Sequence, residues 1–69
     1  MTEYLAIYEH DVDGWSAYVP DLPGCVATGS TRDEVDENIR AAVALHLEGL
    51  RASGTPAPSP STSAGVVAA

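Results

Sequence analysis

The tetrapeptide Thr31-Arg32-Asp33-Glu34 constrains this chain more than any other stretch. It matches a capping box, in which the threonine hydroxyl takes an amide proton three residues on and the glutamate reaches back to the cap amide. Asp33, Glu34, Asp36 and Glu37 put negative charge near the positive end of the helix dipole, and Arg51 lies at the other end. Ser53-Gly54 then stops the run, so the signals predict one helix over 31–52. Along it Val35, Ile39, Ala42, Val43, His46 and Leu50 fall on one face, with Leu47 at its edge. A stripe that wide covers one face of a three-stranded sheet. Leu45 points away from it; an exposed leucine is ordinary by itself, and a subunit contact is its other use.

The strands of that sheet are expected upstream. Residues 3–8, EYLAIY, are rich in aromatic and branched side chains and read as a strand, with Tyr4, Ala6 and Tyr8 on one face and Leu5 and Ile7 on the other. Asp13-Gly14 supplies a turn signal, because glycine tolerates the positive φ that tight hairpins demand. A second strand follows as Trp15 to Val19, with Trp15, Ala17 and Val19 on one face, and the two make an antiparallel hairpin. Pro20 ends it, having no N–H for the ladder. Leu22-Pro23-Gly24-Cys25 fits a type II turn, with Pro23 where φ is near −65° and Gly24 where φ is positive. A third strand leaves this corner as Cys25 to Thr28, and Gly29 closes it.

Residues 1–52 therefore form the core unit. The stretch 53–63, carrying Pro56, Pro58 and Pro60 between small residues, reads as a Pro/Ser-rich linker with extended geometry. Residues 64–69, AGVVAA, read either as an edge strand or as a frayed tail.

A 69-residue chain holds one small domain and buries little surface. The single cysteine, Cys25, makes no internal bridge, and no Cys/His set has zinc-ligand spacing. Homo-oligomerisation is then the expected source of further stability. Ten acidic residues against three arginines and no lysine leave a formal charge of −7. Such a chain repels phosphate backbones, so direct nucleic-acid binding is not expected, and its field favours basic partners. No basic leader precedes an apolar core, and no run approaches the roughly 20 apolar residues of a membrane span. A cytoplasmic location without membrane association is expected.

The side chains able to carry chemistry are the histidines, the cysteine and the acids. His10 sits beside Glu9, Asp11 and Asp13, yet the spacing lacks the twelfth-position ligand of a calcium loop and reads as a solvated hairpin loop. His46 reads as a half-buried filler of the helix stripe, and Cys25 as a small buried hydrophobe. A two-metal nuclease needs carboxylates held together on strands, whereas the first strand carries Glu3 and Glu9 only at its ends. Gly24 and Gly29 form no phosphate loop. An enzyme is not expected, nor a metal or other cofactor.

The run Tyr18-Val19-Pro20-Asp21-Leu22-Pro23-Gly24-Cys25, followed by Gly29, Thr31, Glu34 and the helix ending His46-Leu47-Glu48-Gly49-Leu50, resembles the HicB-like antitoxin family. The resemblance covers residues 2–52. It implies an α+β fold of β-β-β-α-β order, a small antiparallel sheet with one long helix on one face, looking like a reduced RNase H fold without its catalytic acids. It further implies a binding module that covers a HicA toxin, a small basic ribonuclease acting on mRNA. Many relatives continue into a DNA-binding segment; no basic helix follows here, so operator contacts by this chain are not expected. Candidate toxin-binding residues are the hairpin acids Glu9, Asp11 and Asp13 and the early helix acids Asp33, Asp36 and Glu37, while Pro23, Gly24, Thr31, Glu34 and His46 are expected to be structural. The alternative is a stand-alone homo-oligomeric structural or regulatory module with no toxin.

Overall fold

The computed structural model describes residues 2–69. Three strands, β1 (Ile7–Asp11), β2 (Gly14–Tyr18) and β3 (Val26–Gly29), form an antiparallel sheet in the order β1-β2-β3, and α1 (Arg32–Ala52) packs on one face. The class is the expected α+β. The fifth element of the expected β-β-β-α-β order is not formed: residues 64–69 have no regular structure, and Val66 and Val67 lie fully in solvent. Two branched residues among alanine and glycine offer too little β-propensity and too little burial to hold a strand.

Alternation sorts the sheet as expected. Tyr4, Ala6, Tyr8, Trp15, Ala17 and Val19 face the helix, which returns Val35 and Ile39, and Leu22 and Cys25 fill the corner. Val35 and Leu22 have no exposed surface at all. Leu47, expected at the edge of the helix stripe, packs against this core with Ala42 and Val43; His46 and Leu50 are half-buried outside it.

The first strand is displaced from its expected span of 3–8. Pairing runs from Ile7 opposite Tyr18 to Asp11 opposite Gly14, so His10 and Asp11 belong to the strand and the loop is only Val12 and Asp13. Continuing the register places Leu5 opposite Pro20, which has no N–H to offer, and the ladder stops there. At the other end His10 stacks on Trp15, ring centroids 4.4 Å apart and 6° from parallel. That cross-strand pair draws the strand out to the tip.

Two β-turns in succession make the corner. Leu22 N–H donates to Val19 O at 3.0 Å around Pro20-Asp21, and Cys25 N–H donates to Leu22 O at 3.0 Å around Pro23-Gly24. Each has proline at its second position, where the ring presets φ. Gly24 takes φ +84°, as a type II turn requires. The chain thereby returns so that Val19 N–H donates to Cys25 O at 3.1 Å, and β3 starts one residue later than expected.

The helix begins as the capping box predicts, with one change of partner. Glu34 N–H donates to Thr31 Oγ1 at 3.0 Å, while Glu34 Oε1 accepts from the N–H of Ser30, one residue before the cap. Gly29 explains how close the helix comes to the sheet: a Cβ there would lie 2.6 Å from Val35 N.

The stretch 53–63 is irregular but is no free spacer. Tyr4 donates its hydroxyl to Pro58 O at 2.6 Å, and Ser61 and Thr62 are tied to Asp21. Between this strap, residues 2–4 and the second half of α1 lies an open apolar groove lined by Val43, Ala44 and Leu47.

Candidate partner-binding surface

Strand parity distributes the hairpin acids. Glu9 and Asp11 stand on the sheet face away from the helix, and both are exposed. Asp11 Oδ1 also accepts from Asp13 N–H at 2.8 Å, an Asx-type bond that shapes the two-residue tip and leaves Asp13 in solvent. A shallow hollow joins this tip to the helix start, lined by Asp11, Asp13, Trp15, Glu34 and Asn38. Asn38 Nδ2 donates to Thr28 O at 2.9 Å, tying the helix to β3.

The helix acids do not behave as one set. Asp33 and Glu37 are exposed. Asp36 is committed elsewhere: Tyr8 donates its hydroxyl to Oδ1, Arg40 Nε donates to Oδ2 at 2.9 Å, and Arg32 Nη1 lies 3.7 Å from Oδ1. The Tyr8 hydrogen bond first, then Arg40, holds the Asp36 carboxyl below its ordinary range. Burial first, then the same carboxylate, pushes the Tyr8 hydroxyl up. Arg32 lies over the Tyr8 ring at 3.5 Å from its centroid. An arginine at the first helical position opposes the dipole, and this cation–π contact together with Asp36 offsets that.

Asp36 thus gathers two of the three basic side chains. Only Arg51 remains against all the other carboxylates. Among the described residues no group of three His, Cys, Asp or Glu is placed to hold a metal ion. Cys25 is buried, and burial pushes its thiol up, away from nucleophilic use. No helix among the described residues is long and apolar enough to cross a membrane.

One further carboxylate, Asp21, lies outside the sequence candidates. Asp21 accepts four hydrogen bonds, from Ser61 N–H (2.9 Å), Ser61 Oγ (3.0 Å), Thr62 N–H (3.1 Å) and Thr62 Oγ1 (2.7 Å). The Thr62 hydroxyl first, then the two amides, bring its carboxyl down to about 2. Its only signal in the sequence is position: a turn aspartate between two prolines, with Ser and Thr donors in the tail.

The comparisons with known proteins identify the scaffold that carries these two exposed acidic groups. Residues 4–69 match the model of the HicB_like antitoxin of bacterial toxin-antitoxin systems. The chain belongs to the HicB-like antitoxin family. Structures agree: one chain of a HicA3 and HicB3 toxin-antitoxin complex is similar with a TM-score of 0.70 and 36% identity, over 87% of this chain and 70% of that one. The HicB3 antitoxin crystal structure matches with a TM-score of 0.70 and 37% identity, over 83% of this chain and 42% of that one. Relatives include a UPF0150 protein of Helicobacter pylori, 43% identical over 68% of this chain and 65% of its own. A UPF0150 protein of Synechocystis is 38% identical over 80% of this chain and 71% of its own. This HicB-like chain therefore spans about two thirds of the Helicobacter relative and less than half of the HicB3 crystal chain.

Proposed function

We propose that this chain neutralises a HicA-type toxin, a small basic ribonuclease, by seating an acidic surface over the toxin's RNA-contacting surface. The mechanism is occlusion, without chemistry by this chain. The observation that carries it is the segregation of charge. Asp36 pairs with Arg32 and Arg40, and Glu9, Asp11, Asp13, Asp33 and Glu37 stand exposed with no ion pair among the described residues, so their field is available to a cationic partner. A chain of the same fold, 36% identical, has been solved in a HicA3 and HicB3 toxin-antitoxin complex.

The test is co-expression with a HicA-type protein from the same genome. Co-purification and relief of the toxin's growth arrest are the expected results; a chain that neither binds nor relieves arrest defeats the proposal. The alternative of a stand-alone homo-oligomeric module draws on Leu45, 72% exposed on the outer side of α1. A monomer mass by light scattering at micromolar concentration removes that alternative.

A further inference from the structure

A one-sided antiparallel sheet normally turns polar side chains to water. The open face of this sheet departs from that rule at one end. In register, Ile7, Tyr18 and Val26 form a single row across all three strands. Tyr18 is 39% exposed and Val26 66%. The next row is Glu9, Ser16 and Thr28, and Asp11 lies beyond. The face passes from apolar to acidic within the length of one strand.

We infer that this open sheet face is where the HicA-type partner docks, with the Ile7–Tyr18–Val26 row as the buried centre and Glu9 and Asp11 as the charged rim. The inference rests on the function proposed above and narrows it, because it removes Asp33 and Glu37 from the contact. Those two belong to α1, which packs on the opposite face. An apolar centre with an aromatic anchor inside a polar rim is the usual anatomy of a specific interface.

Charge decides the occupant. A second copy would bring another −7 to a face already edged by Glu9 and Asp11, whereas a basic protein meets that rim with opposite charge. The chain's own tail does not fill the face. Ser61 and Thr62 are held at Asp21, and Val66 and Val67 beyond them are fully exposed.

The experiment is titration calorimetry of the full chain against a catalytically inactive HicA-type protein from the same genome. Tyr18→Ser and Val26→Glu are compared with the double variant Asp33→Lys, Glu37→Lys. Both sheet residues are exposed, so the variants are expected to fold, which circular dichroism checks. Each sheet variant is expected to weaken binding by about tenfold or more, and the helix double variant by less than about threefold at physiological salt. Sheet variants that bind like the parent, or a helix variant that costs as much, overturn this inference and leave the antitoxin reading standing. A parent chain that does not bind overturns both.

Discussion

At the scale of single residues, backbone conformation and one carboxylate decide most of what happens. Gly24 has φ +84°, and an added Cβ would meet nothing within 4 Å, so a substitution there is penalised by conformation alone. Gly24→Ala is expected to lower stability by about 1–2 kcal/mol, the cost of a left-handed L-residue, measured by denaturant unfolding. An unchanged midpoint would contradict the turn geometry. Asp21 offers a second test. Its folded-state carboxyl titrates at about 2 against an ordinary 3.8, so the clasp contributes fully above the ordinary value and is lost as pH falls through the folded one. Amide exchange at Ser61 and Thr62 should therefore be protected at neutral pH and lose protection towards pH 2. Asp21→Asn should expose the same two amides at neutral pH; amides that stay protected in the variant would show that the tail is held by something else.

At the scale of elements, the helix is placed by its first turn. Thr31 and Glu34 hold the entry, and Gly29 allows the backbone of α1 to approach β3. Thr31→Ala is expected to cost about 1 kcal/mol through the lost cap. Gly29→Ala should cost about 1–3 kcal/mol, because a Cβ 2.6 Å from Val35 N forces the helix outward. Thermal unfolding distinguishes them: Gly29→Ala also loosens the packing around Val35, which near-ultraviolet dichroism of Trp15 and Tyr8 reports. The capping box, the type II turn and the three strands were legible because each is written within a few adjacent residues. The extent of β1 was not. It depends on which residue of β2 lies opposite, and Pro20 ends the ladder at a position the first strand alone does not reveal.

At the scale of the whole molecule, charge separates into a helix carboxylate paired with arginines, Asp36, and the exposed Glu9 and Asp11 on the open sheet face. Reversing Glu9 and Asp11 to lysine is expected to weaken binding of a HicA-type partner and flatten its salt dependence, measured between low and high ionic strength. Asp36→Asn acts differently: it frees Arg32 and Arg40 and loosens Tyr8 without removing a contact to the partner. An Asp36→Asn chain that lost binding as completely as the Glu9 and Asp11 reversals would argue against that separation. Of the six acids expected to bind a partner, the sequence offers no means of telling Asp36 from Glu37, since the difference lies in Tyr8, which is 28 residues away.

What the sequence determined alone is the set of locally written elements: a capped helix, a Pro23-Gly24 corner, a hairpin, and an alternation that puts Tyr8, Ala17 and Val19 towards α1. Those signals act through backbone dihedrals and hydrogen bonds between near neighbours, so they hold whatever the rest of the chain does. Tertiary structure decided which carboxylates are consumed and which are free. Asp21 closing on Ser61 across 40 residues, Asp36 gathering Tyr8 and two arginines, and Tyr18 and Val26 lining up with Ile7 across the open sheet face all depend on groups meeting in space. Such meetings follow from register and packing, which no short stretch of sequence specifies by itself.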